Sequence, residues 1–197
     1  MEIKYQQFWD WFVQNRTLFA GTEITDQSIE LIDQRINILG EFAWEIGPGQ
    51  LKTTSLTISP GGDRDLLPTT KEIISYAPTL PDWEFHYAKP VKEWENYFNV
   101  MVNDQKIGIN ISKWEYTLSR YDTNIYDIRI KLVDVPVTIL AEKDQALYGI
   151  VEMVLESIIG EEKRLERINE IEIVKEDVFK KQASSILHLK QHIDSLP

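Results

Sequence analysis

The spacing of apolar positions changes period along the chain, and the changes mark the expected elements. Phe8, Trp9, Trp11, Phe12, Leu18 and Phe19 give the first segment a broad apolar face at helical spacing, ended by Gly21. Ile29, Ile32, Ile36 and Leu39 then recur at steps of three and four. Thr25 or Asp26 stands where a cap belongs, and Gly40 closes the segment. The two stretches predict an N-terminal helical hairpin.

The period then drops to two. Phe42, Trp44 and Ile46 alternate with Ala43 and Glu45, as in a strand buried on one face. Thr54, Leu56 and Ile58 repeat the pattern beyond the turn residues Gly47-Pro48-Gly49, so the pair reads as a hairpin. Thr69 and Glu72 have capping-box spacing, which predicts a short helix over 70–76 stopped by Pro78. A third strand is expected over 83–87. Residues 100–102 and 107–111 flank a turn at Asn103-Asp104, and 114–120 and 125–132 read as two longer antiparallel strands. Leu140, Leu147, Ile150, Val151, Val154 and Ile158 form an amphipathic helical stripe, with Gly160 as its C-terminal cap. A late strand follows over 168–174, and the mixed tail from Asp177 has room for a short helix.

This order predicts one α+β domain over residues 1–197. Its sheet is mainly antiparallel, of about six to eight strands. The N-terminal helical hairpin and a long C-terminal amphipathic helix pack on it. Strict βαβ alternation is absent, which argues against a doubly wound nucleotide fold.

Composition narrows the chemistry. The chain of 197 residues is 43% hydrophobic, enough to bury a core without covalent staples. It has no cysteine, which excludes disulfides, thiolate zinc sites, iron–sulfur clusters and cysteine nucleophiles. The first residues lack the layout of a signal peptide, and the longest apolar run is broken by Glu152 and Glu156. The expectation is a soluble, cytoplasmic protein with no membrane partner. The net charge of −11, with bases scattered among acids, argues against nucleic acid and permits a basic protein partner. Oligomeric state is not legible.

Candidate sites are few, and each has a plain structural reading beside it. Ser59, Gly61, Gly62 and Asp63 form a glycine loop whose amides could cradle an anion, but it lacks the lysine and hydroxyl of a phosphate loop. A turn that needs positive φ is the reading these residues favour. His86 on the 83–87 strand is the candidate general base, with Glu84, Asp82 or Glu45 to orient it. Without a motif, a lone strand histidine reads first as structural. His188 and His192 share a helical face, yet no HExxH context accompanies them, so neither a metal nor any other cofactor is expected. Acid pairs such as Asp63 and Asp65, or Glu93 and Glu95, are unremarkable among 32 acids. Six tryptophans read as an aromatic core. Their functional version is a partner-binding surface, with Trp9, Trp11 and Trp94 as candidates, and Trp9 and Trp11 cannot both point one way on a helix.

Several stretches together resemble a family of uncharacterised bacterial proteins. They are Phe8-Trp9-x-Trp11-Phe12, Glu45-Ile46-Gly47-Pro48, Ile58-Ser59-Pro60-Gly61-Gly62-Asp63, Ala77-Pro78-x-Leu80-Pro81-x-Trp83, and Leu155 leading to Gly160-Glu161. Ile159 stands where that family's helix-end motif carries leucine. The resemblance implies the α+β fold and no catalytic residues. The leading functional expectation is therefore a non-enzymatic interaction protein, an accessory or immunity-type partner. The alternatives are a metal-independent hydrolase using His86 with a nearby carboxylate, and small-anion or metabolite binding at Gly61-Gly62.

Overall fold

Tyr5, Phe8, Trp9 and Phe12 lie three and four residues apart, and in the computed structural model all four are buried on helix α1 (Glu2–Asn15). The structure describes residues 2–21, 24–102, 105–135, 144–174 and 182–197. It is α+β, opens with a helical hairpin and is rich in antiparallel pairing, as the sequence predicts. The pattern predicts one domain. The chain divides into two compact units, Met1–Lys89 and Pro90–Pro197, each with its own core. The strands fall into three sheets. Among the described residues, no helix is long and apolar enough to cross a membrane.

In unit 1 a 3-10 turn (Arg16–Leu18) follows α1, and Phe19 beyond it is buried. Helix α2 (Asp26–Leu39) begins where Thr25 Oγ1 accepts the Ser28 amide at 3.2 Å. Strands β1 (Ala43–Pro48) and β2 (Thr54–Ser59) pair antiparallel, and β3 (Trp83–His86) adds parallel to β2. A parallel neighbour needs a crossover, which helix α3 (Leu67–Ser75) supplies. Register sorts the side chains. Trp44, Ile46, Leu56, Ile58, Trp83 and Phe85 share one face and join the core under α1, while Glu45, Thr57 and His86 form a row on the other.

The start of α3 corrects the sequence reading. The helix begins at Leu67, so Thr69 lies inside it and no capping box forms. Pro68 occupies the first turn, where its missing N–H is harmless. The capping carboxylate belongs to Asp63, which accepts the Asp65 amide at 2.9 Å and opens the preceding 3-10 turn (Arg64–Leu66).

In unit 2, β4 (Tyr97–Val102) and β5 (Gln105–Asn110) form a hairpin. Strands β6 (Glu115–Asp122), β7 (Ile125–Lys131), β8 (Ile168–Val174) and β9 (Ser184–Ser185) make a sheet in the order β8-β7-β6-β9. Helices α4 (Asp144–Ile159) and α5 (Glu161–Arg167) precede β8, and α6 (Leu189–Ser195) ends the unit. Both units thus place an antiparallel hairpin beside a third strand that enters parallel after helical residues. The sequence reading has α4 ending at Gly160 and misses α5. Gly160, at φ 82°, donates to the Glu156 carbonyl and accepts from the Arg164 amide, so it ends one helix and starts the next. The predicted turn Asn103-Asp104, the helical position Leu140 and Asp177 lie outside the described residues.

Candidate functional site

Of the carboxylates proposed to orient His86, the structure selects Glu84. The two residues sit two apart on β3 and so share a face, and His86 Nε2 lies 3.0 Å from Glu84 Oε1. Glu84 does more than meet the histidine. Its oxygens accept the amides of Gln50, Leu51 and Lys52 at 2.6, 2.8 and 3.0 Å. Burial pushes the carboxyl up, but the three amides and His86 outweigh it and bring it down to about 2. The group is therefore a fixed anion that folds the β1–β2 turn over β3. Gly49 permits the approach, because a Cβ there would stand 2.5 Å from the Lys52 carbonyl and 2.9 Å from the Glu84 carboxyl carbon. The side chains of His86 and Glu84 are 27% and 10% exposed.

The other candidates lie elsewhere. Glu45 shares a row with Thr57 and His86, but β2 separates the two, which is roughly 10 Å across two strand spacings. Asp82 precedes β3, and its carbonyl accepts the Thr54 amide at 3.0 Å. In the glycine loop, the Gly61 amide donates to Ser59 Oγ, and the Asp63 amide closes a turn onto the Pro60 carbonyl. Gly61 and Gly62 have φ of 63° and 87°, the left-handed values that suit glycine at both central positions of such a turn. These amides serve the loop, and the Asp63 carboxylate stands beside them.

Trp9 does not offer a surface. It is 1% exposed, and its Nε1 donates to the Ile73 carbonyl at 2.8 Å. Trp11 is half-buried, packed against Phe19 with the Arg35 guanidinium 5.1 Å from its ring centre. Trp94 is half-buried against the unit 2 core beside Phe98. His192 Nδ1 lies 2.8 Å from the Tyr116 hydroxyl, which burial pushes up to about 12 despite the opposing Ser184 hydrogen bond. The phenol therefore stays protonated, and its hydrogen bond with His192 anchors α6 to β6. His188 is exposed. No group of three metal-ligating side chains occurs among the described residues. Sequence reading also misses a buried charged set in unit 2, where Arg164 pairs with Glu152 and where Glu156 and Glu161 are buried.

Unit 1 also holds a cleft. It encloses about 510 Å³ and is lined by Phe19, Gly21, Ile24, Ile46, Gly47, Pro48, Thr53 and Thr54. That volume suits a small ligand or one bulky side chain. Its walls are Phe19, Gly21 and Ile24 on one side and the end of β1 with the start of β2 on the other. The turn that Glu84 holds, residues 49–52, joins two of its lining strands. Among the described residues the sheet order is β1-β2-β3, which puts β1 at an edge. Sequence pattern shows Ile46 and Thr54 as strand positions. It carries no signal for which strand lies at the edge, because strand order depends on pairing across the whole unit. Comparison with protein-family models, with curated proteins and with solved structures finds no match to this chain.

Proposed function

We propose that this chain is a non-enzymatic binding protein that engages another protein through the apolar cleft of unit 1, in the manner of an accessory or immunity-type partner. The observation that supports it most is the cleft itself, an apolar hollow beside an edge strand. The net charge of −11 favours a basic partner. The anion-binding reading of Gly61-Gly62 loses support because the Gly61 and Asp63 amides are used within the loop.

The test is affinity capture from native lysate with the full chain, Ile46→Arg and His86→Ala, at low and high salt. A partner retained at low salt by the native chain and by His86→Ala, and lost with Ile46→Arg, is the expected result. Retention that ignores Ile46, or the absence of any such partner, overturns the reading. Circular dichroism confirms that each variant is folded.

One observation favours a second reading, a hydrolase. Glu84 orients His86 through Nε2, and no described residue hydrogen-bonds to Nδ1, which leaves that nitrogen able to take a proton. A panel of ester and amide substrates tests it. Turnover that disappears in His86→Ala supports it, and turnover equal in both proteins, or none, refutes it.

A further inference from the structure

The phase of the β1–β2 ladder decides which backbone groups face outward. The Gly49 amide donates to the Thr53 carbonyl at 3.3 Å. In an antiparallel ladder, hydrogen-bonded pairs alternate with pairs that make no such bonds. Carried along the register, the bonded pairs are Gly47 with Ser55 and Glu45 with Thr57. The N–H and C=O of Trp44 and Ile46 therefore point away from β2, out of the open edge of the sheet. No described residue hydrogen-bonds to these backbone groups.

Natural edges are blunted by lysine, proline or bulges. Strand β1 has no lysine, its proline is the last residue, and its register runs from Ala43 to Pro48 without a shift. A strand laid along this edge would send alternate side chains to the face of Ile46, where the cleft lies. The intervening side chains would share the face of Glu45. The segment that leads into and forms β1 is acidic in sequence. From residue 24 to 48 the chain carries Asp26, Glu30, Asp33, Glu41 and Glu45 against Arg35 alone.

Resting on the binding reading above, we infer that the partner is a basic, extended segment of another protein. It adds to β1 as a fourth strand and seats a bulky apolar side chain in the cleft. Main-chain hydrogen bonds to Trp44 and Ile46 supply affinity, the cleft supplies selectivity, and lysines opposite Glu45 set the register.

The probe is a pool of blocked heptapeptides with lysine at odd positions and valine, leucine or phenylalanine at even ones, added to the ¹⁵N-labelled full chain at low salt. The amides of Trp44 and Ile46 are expected to exchange at least tenfold more slowly. N-methylation of the peptide backbone on the side facing β1 is expected to weaken binding at least tenfold. If the N-methylated peptides bind as well, strand addition is wrong while the cleft remains a binding site. If no peptide slows exchange at Trp44 and Ile46, the inference falls, and the capture experiment separately decides the binding reading. Slowing that depends on protein concentration without peptide would assign the edge to a second copy of the chain and overturn the inference.

Discussion

Glu84 shows how one side chain can fix a loop. Three amides and a histidine hold its carboxyl at about 2, against an ordinary value of 4.5. A carboxyl lowered by folding stabilises the folded state above its unfolded value, and that contribution is lost as pH falls through the folded one. Glu84→Gln should therefore cost on the order of 1–2 kcal/mol at neutral pH, the loss of charge-assisted hydrogen bonds. The difference from the native chain should shrink between pH 4.5 and about 2, as measured by urea melts across that range. Gly49→Ala should act on the same clamp, because its Cβ meets the Lys52 carbonyl and the Glu84 carboxyl. The double variant should be less than additive, which a double-mutant cycle reads directly. Tyr5 is the opposite case. Its hydroxyl is buried with no hydrogen-bond partner among the described residues, so Tyr5→Phe should change stability by less than ~1 kcal/mol or raise it.

Among the elements, α2 follows its sequence most directly. Its apolar steps, its Thr25 cap and its Gly40 end all agree. Thr25→Ala should cost about 1 kcal/mol in a thermal melt. Strands β1 and β2 are as legible, because one buried face imposes strict alternation. The start of α3 is not, since a proline in a first helical turn and a proline that breaks a helix look alike until the preceding 3-10 turn is seen. Helix α5 is hidden for a similar reason, because Gly160 reads only as an ending and Glu161 to Arg167 as solvated charge. Yet Glu161 and Arg164 are buried, which periodicity of apolar residues cannot reveal.

At the scale of the molecule, no linker-like or low-complexity stretch marks the division at Lys89 and Pro90, although unit 1 is the richer in aromatic residues. The candidate site divides in the same way. Sequence brings out His86 and Glu84, whose spacing of two on a strand puts them on one face. It does not bring out the cleft, which needs Phe19, Gly21 and Ile24 to meet the β1–β2 strands in space. The acidity of the chain acts over the length set by salt, about 10 Å at 0.1 M, so partner retention should weaken steeply as ionic strength rises. Site-specific photocrosslinking tests the proposed surface most directly. With p-benzoylphenylalanine in place of Thr54 in one full-length protein and in place of His86 in another, the binding account predicts an adduct with a basic protein from Thr54 alone. An adduct from His86 only, or from neither position, would contradict it.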